Sequence, residues 1–498
     1  MRGFHLETCG LTILLMTRLS LPRTSPRTRL TALIVACALF MQNLDSTVIA
    51  TALPTMARAF GADPVRMNVA LTSYLLSLAV FIPASGWMAD RFGTRTVFRA
   101  AIAVFTVGSV LCGRAESLPF LVASRVLQGM GGAMMVPVGR LVLLRSAPKS
   151  ELVAAMAWLT MPAMIGPVLG PPVGGLIVTY FSWRWLFDIN VPIGLLGILL
   201  VTLFVDDVRE PGTGRLDIRG LLLSGVGLAA LLFGLETAGR GAVASTLSFA
   251  AIGAGVLAWA LYWLHARRHP RPLLDFTLTR EPTFAVSILA GTLFRVGVGA
   301  TPFLLPMMFQ IGFGDSAAES GAITFASAAG ALVMKPVATR ALRWLGFRHI
   351  LVWNAVLCAG MLGVFAFFRP TWPAAAIYAV LLVSGFFRSL QFTAYSTLAY
   401  AEIPRERMSG ATSLFSTVQY LCQVLGIATG AALLEFSTWL HGRPTPGLAD
   451  FALAFGGVAA LTLLAAPGSA LMPRTAGDEI AGRTIQEAVE TVPPTERA

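Results

Sequence analysis

Between Leu30 and about Pro473 the chain carries fourteen apolar stretches, each long enough to cross a bilayer as a helix. A hydrocarbon core of about 30 Å takes about 20 mostly apolar helical residues. The spacing predicts spans near 30–53, 68–88, 97–113, 118–139, 152–179 and 185–205, then 219–236 and 244–264, then 284–311, 320–338, 350–368, 374–399, 409–435 and 449–472. The expected fold class is therefore an all-α polytopic membrane protein.

Composition leaves room for little else. Hydrophobic residues make up 56% of the chain and charged residues 12%, against roughly 25% charged in a soluble domain, and mean hydropathy is +0.73. Cys9, Cys37, Cys112, Cys358 and Cys422 are scattered, without CxxC or metal-ligand spacing, so neither a disulfide framework nor a metal site is expected. No cofactor is expected either.

A net charge of +12 would suit a nucleic-acid binder, but its distribution argues against that. If the amino terminus is cytoplasmic, alternate loops and both tails hold 27 of the 37 Lys and Arg residues and the opposite loops hold 7. That bias is the positive-inside pattern. It predicts a multi-pass protein of the inner (plasma) membrane with both termini cytoplasmic, its basic residues touching anionic lipid and no nucleic acid. The tail 1–29 has an apolar run at Leu11–Met16, shorter than the roughly 7–15 residues of a secretory leader, and no leader is expected. Met16, followed by Thr17 and Arg18, is a second candidate for the start of translation.

The spans group as six, two and six. A first bundle over 30–205 and a second over 284–472 are expected, with a linker at 206–283 that carries the two extra spans and a cytoplasmic tail at 473–498. The polar, proline-containing stretches Asp206–Arg219 and His265–Pro282 read as tethers. Gly93 and Arg95 after the second span are echoed by Gly346 and Arg348 after the tenth, as expected of a transporter built from repeated halves with its substrate site between them.

Three signatures carry chemistry. The first is Gly86-Trp-Met-Ala-Asp90-Arg91-Phe-Gly93-Thr-Arg95, between spans 2 and 3. Gly93 permits a tight turn there, and Asp90 is placed to cap the next helix or pair with Arg91 or Arg95, a cluster suited to latching helices on the cytoplasmic side. The second is Arg125-Val-Leu-Gln128-Gly129-Met-Gly131-Gly132 in span 4. An arginine inside a bilayer costs about 2.5–3.5 kcal/mol even on the lenient scale, so it needs a partner, and Asp45 of span 1 is the expected one. A purely structural ion pair is the alternative. The third is Gly166-Pro167-Val-Leu-Gly170-Pro171-Pro172-Val-Gly174-Gly175 in span 5. Glycines 166, 170 and 174 make a flat packing face and the prolines bend the helix, which suits a helix that slides or seals.

In this order and number the motifs resemble the major facilitator superfamily, and within it the fourteen-helix drug:proton antiporters of EmrB/QacA type. The glycine-proline run of span 5 is similar to that family's antiporter motif. Further matches are Trp183-Arg-Trp-Leu-Phe-Asp188-Ile-Asn-Val-Pro192, Pro302-Phe-Leu-Leu-Pro306 and Gln310-Ile-Gly-Phe-Gly314. The resemblance implies two six-helix bundles plus two central helices, and export of small amphipathic compounds in exchange for protons by alternating access. Ala50 stands where the family often carries Asn, and Asp188 where an apolar residue is expected, which makes Asp188 a candidate second titrating group.

Proton coupling needs a carboxyl whose surroundings change between access states. Burial raises its pKa and a nearby arginine lowers it, so separating Asp45 from Arg125 would favour protonation, and substrate and proton would then compete for one site. Gln42, Gln128, Arg295, Gln310, Arg388 and Gln391 are the cavity candidates. Two rivals stand beside the drug exporter. One is an exporter of a native metabolite such as an organic acid, amino acid or siderophore. The other is a lipid-modifying enzyme, disfavoured because the five histidines form no persuasive ligand pair: His265 and His269 stand among Arg267, Arg268 and Arg271. The sequence is silent on a periplasmic export partner.

Overall fold

A computed structural model describes residues 25–148, 151–209, 216–237, 245–269, 272–404, 407–443 and 445–472. The tail at 473–498 and residues 1–24 of the amino-terminal tail lie outside them. Among the described residues every regular element is helical. The long helices are α1 (Pro26–Val48), α2 (Val69–Phe81), α3 (Thr94–Gly113), α4 (Leu118–Ser146), α5 (Leu152–Tyr180), α6 (Asn190–Phe204), α7 (Ile218–Thr237), α8 (Ser245–Arg268), α9 (Pro282–Gly299), α10 (Ala317–Leu345), α11 (Phe347–Phe365), α12 (Ala374–Ala399), α13 (Met408–Leu440) and α14 (Leu448–Leu463). Thirteen helices are long and apolar enough to cross a membrane, and the fourteenth expected span, α7, has a shorter apolar stretch at Ile218–Gly234.

Local chemistry sets the helix ends. Pro26 opens α1 behind Ser25, whose hydroxyl accepts from the Thr28 amide, and Ser316 with Glu319 closes a capping box on α10. Gly93 and Gly346 both have positive φ, +93° and +75°, with extended ψ, and each is the N-cap of the following helix. The echo between the two halves is thus a repeated backbone turn that residues with a Cβ rarely adopt. The ninth span is broken. Past α9 it continues as Thr301–Met307 with Pro302 and Pro306, then a π-helical turn, Met308–Phe313, ending on Gly314 at φ +80°. α10 runs to Leu345, beyond the apolar stretch predicted at 320–338, because backbone hydrogen bonding does not stop at the hydrocarbon edge.

In the first half α1 packs along α5, α3 along α4, and α2 on α4; in the second α10 packs along α12, α9 along α13, and α11 along α14. The halves meet where α5 lies on α10 and α2 on α13. The extra pair α7 and α8 pack on each other and stay at the edge, where Leu222, Val226, Val256 and Leu257 are exposed as for lipid. His265 and His269, expected in a purely basic cluster, instead meet Asp217 at the start of α7. His265 Nε2 lies 2.7 Å from Asp217 Oδ1, and one ligand atom from each of the three side chains falls within 4.8 Å of the others. Spacing along the sequence hid this because Asp217 comes from the other helix.

The stretch after α8 is docked rather than a free tether. The Tyr262 hydroxyl accepts from the Leu274 amide at 2.7 Å, and Asp275 pairs with Arg407 at 2.8 Å. Burial opposes ionisation of Asp275, but hydrogen bonds from Thr277 and Arg407 outweigh it and hold the carboxyl below its ordinary value of 3.8. A lowered carboxyl pKa stabilises above the unfolded value and loses that contribution as pH falls through the folded one. Hydrogen exchange over 272–281 should therefore stay slow at pH 5 and accelerate below about pH 3.8, whereas Asp275→Asn should remove that acid step.

Candidate functional site

The first site is a buried polar knot inside the first half. Arg125 of α4 donates from Nη1 to Asp45 Oδ2 of α1 at 2.6 Å, and their side chains are 0% and 1% exposed. The other Asp45 oxygen accepts from Gln128 Nε2 at 2.9 Å and Asn190 Nδ2 at 3.2 Å. Arg125 also donates from Nε to the Ala70 carbonyl at 3.0 Å and lies 4.2 Å over the Tyr74 ring. Asn190 reaches Ser109, whose hydroxyl donates to the Phe187 carbonyl. Five helical segments, α1 to α4 and the start of α6, thus converge on one carboxylate. Removing one partner of such a buried pair typically costs about 3–5 kcal/mol, because the other charge is left uncompensated.

The pairing follows the expectation, but Gln128 belongs to this knot rather than to a substrate cavity. Asn190 and Tyr74 were not singled out in the sequence. The signal for Asn190 was a polar residue just inside a predicted span; for Tyr74, among aromatic core residues, there was none. Asp188 stands two residues from Asn190 but faces the other way, 3.7 Å from Arg114 and partly exposed.

The second site is a cavity of about 470 Å³ between the halves. Thr47, Ala50 and Thr51 line it from the first span, Pro167 and Pro171 from α5, and Lys335 and Arg388 from α10 and α12. Lys335, Phe392 and Gln419 are shared with a second cavity of about 600 Å³, lined further by Thr393, Ser396, Thr397 and Tyr400 towards the end of α12. That end lies on the molecular face that carries Ser25 and the loop between α2 and α3. The opposite face is sealed: Gln310 Nε2 donates to the Thr51 carbonyl at 3.0 Å, and the Ala318 amide donates to Thr179 Oγ1 at 2.9 Å. Hydrogen bonds that bridge the halves thus stand on the opposite face, and the second cavity lies towards the first.

Of the six cavity candidates only Arg388 lines the cavity. Gln42 is buried within α1 packing, Gln310 is in the seal, and Gln391 bonds Asn354 and the Leu351 carbonyl inside the second half. Arg295 donates to the Ser287 carbonyl on its own helix and lies 4.6 Å over Phe415. Neighbouring helices satisfy polar groups as readily as a wet cavity does, so polarity alone does not reveal which way a side chain turns. Lys335 falls inside the predicted span 320–338 and was not singled out in the sequence, yet it lines the cavity. Asp45 does not line it. Thr47 does, and two residues on a helix are about 200° apart, so Asp45 and the cavity do not share atoms in this conformation.

The span-5 glycines form the close-packing face expected of them, against the first span. Gly166 and Gly174 abut the backbone of the first span and Gly170 abuts Thr47, so this stripe is a seam within one half. The contact between halves uses neighbouring positions of α5: Gly175 meets the Ala317 carbonyl, and Pro171 presents its carbonyl to Gly321 of α10.

On the open face Asp90 pairs with Arg145 of α4 at 2.6 Å, rather than with Arg91 or Arg95, and Asp207 caps α3 by accepting from the Arg95 amide at 3.2 Å. Gly93 sits against Asp207, and Gly86 has open space around it. The cluster ties α4 to the end of the second span, and Asp90→Asn should weaken that tie by about 1 kcal/mol. We expect cysteine-accessibility labelling of the cavity to change about fivefold in Asp90→Asn, the population equivalent of that energy, with substrate binding retained. Identical labelling in the two proteins would remove the latch argument.

A chain of this architecture, with a cavity between two helical halves, matches the family model of the Major Facilitator Superfamily over residues 35–427. The chain belongs to the major facilitator superfamily. Relatives named as multidrug resistance protein MdtD include one from Pectobacterium carotovorum, 37% identical over 91% of this chain and 97% of its own length, and one from Serratia proteamaculans, 39% identical over 80% and 84%. In fold the chain is similar to a D-xylose-proton symporter, with a TM-score of 0.64 at 16% identity over 90% of this chain and 98% of that one. It is also similar to the human organic anion transporter MFSD10, with a TM-score of 0.58 at 14% identity over 90% and 100%. As a superfamily member the protein is a multi-pass membrane transporter of small molecules and not an enzyme.

Proposed function

We propose that this transporter exports small amphipathic compounds in exchange for protons by alternating access, from an inner (plasma) membrane in which both termini are cytoplasmic. The observation that carries the reading is the buried Asp45–Arg125 pair, held at 2.6 Å within the half that forms one wall of a cavity open at one end. Movement of α1 against α4 would separate this carboxyl from its guanidinium partner and so tie helix packing to the charge at the site. Coupling is then indirect. The proton acts on the packing of α1, α4 and α6, and α1 and α5 carry that change to the cavity wall.

The relatives' naming supports multidrug export, and the arginine-rich face on which the cavity opens supports a cytoplasmic-facing state. Reconstituted into vesicles with an imposed pH gradient, the protein should acidify or alkalinise the lumen when a transported compound is added. Substrate movement with no associated proton flux would overturn the antiport reading. Export of a native organic acid is the second reading, favoured by Lys335 and Arg388 in the cavity wall.

A further inference from the structure

We propose that the central cavity is an anion site, and that the transported compounds carry a carboxylate, sulfonate or phosphate head on an apolar body. The inference rests on the transporter reading above and adds the charge of the cargo. Among the described residues Lys335 of α10 and Arg388 of α12 are the charged residues of the cavity wall, and neither Asp nor Glu lines it. Arg388 has no hydrogen bond or ion pair among the described residues, and the Lys335 ammonium donates to the Thr393 hydroxyl at 3.2 Å.

The other intramembrane arginines are provided for differently. Arg125 has Asp45; Arg295 is 3% exposed, bonds a carbonyl and faces aromatic rings. Arg388 lines the cavity instead. A cation left unpaired within a membrane span is costly and persists where something compensates it, and among the described residues no carboxylate lines the cavity to do so, which leaves that role to an anion that enters it. The rest of the wall suits such a guest. Pro167, Pro171, Pro302, Leu305 and Phe392 offer apolar surface, while Ser327 and Ser389 offer neutral hydrogen bonds. A lipophilic cation in the same place would be held between two like charges.

The test reads the cavity's charge without any gradient, so it stands apart from the antiport assay. Ala328→Cys, a partly exposed position of the cavity wall, is labelled in phosphatidylcholine vesicles with a sulfonate-bearing and a trimethylammonium-bearing methanethiosulfonate, and labelling of the parent protein is subtracted. Relative to a free thiol, the anionic reagent should be favoured by about tenfold or more. Arg388→Gln and, separately, Lys335→Gln should each reduce that preference several-fold while insertion stays normal. Millimolar naphthalene-1-acetate should protect the cysteine and 1-naphthylmethylammonium should not.

Equal or cation-favoured labelling overturns the anion site. So does an anion preference that survives both substitutions, and so does failure of the carboxylate to protect. Repeating the labelling with one-third phosphatidylglycerol separates the sources of the anion: slower labelling there assigns the site to a lipid headgroup, and unchanged labelling assigns it to a free solute. Proton flux in the absence of anion preference would leave the antiporter standing and remove only this assignment.

Discussion

Asp45→Asn is expected to abolish pH-gradient-driven efflux. The substitution keeps the shape of the side chain and its bonds to Gln128 and Asn190, but leaves Arg125 charged and unpaired in a fully buried site. The loss should amount to about 3–5 kcal/mol, visible as a lower thermal midpoint in detergent. A second variant separates coupling from stability. Asp45→Asn combined with Arg125→Leu removes both charges, and replacing a buried ion pair by apolar groups is often neutral or stabilising, so insertion and thermal stability should recover while proton-driven export stays absent. If the double variant regains gradient-dependent efflux, the pair is structural, and Asp188 is the next acid to examine.

Gly321→Leu should jam the sealed face open. A Cβ built on Gly321 falls 2.9 Å from the Pro171 carbonyl carbon and 3.3 Å from the Pro172 Cα, and backbone cannot move aside as a flexible side chain can. Overpacking of this kind costs about 1–3 kcal/mol. Falling wholly on the state in which α5 and α10 touch, that cost would bias access about five- to more than a hundredfold towards the opposite state. Transport per inserted molecule should drop sharply and a cysteine at Thr179 should become reactive from the sealed side. Gly170→Leu is the matched comparison. Its neighbour is Thr47 within the same half, so it should lower thermal stability and yield instead of shifting access. Were Gly321→Leu to transport and label like the parent, the α5–α10 contact would not be the gate.

Much of the molecule was legible in one dimension because a bilayer imposes one-dimensional rules. An apolar stretch of the right length becomes a helix wherever it packs, so the helices were readable from hydropathy, while the end of α10, the break in the ninth span and the short apolar stretch of α7 were not. The partner of Arg125 was readable because a charge inside the membrane has to be neutralised and the first span offered one carboxylate within reach. Gly93 and Gly346 were readable because a turn of positive φ selects glycine by its backbone alone. Each of these depends on a residue's own chemistry or on near neighbours along the chain.

What the residue order left open was rotation: which face of each helix meets a cavity, a seam or lipid. That angle is set by packing between helices that lie far apart in sequence. Gln128, Arg295 and Gln391 turn into their own halves, where each bonds a carbonyl or a carboxylate, while Lys335, at the edge of its span, turns into the cavity. The glycines of α5 close against α1 and leave the contact with α10 to Gly175 and Pro171. Hydropathy and periodicity do not encode these choices, because a polar group in a membrane is stabilised equally by any partner that satisfies it. The three-dimensional arrangement of the helices selects among those partners.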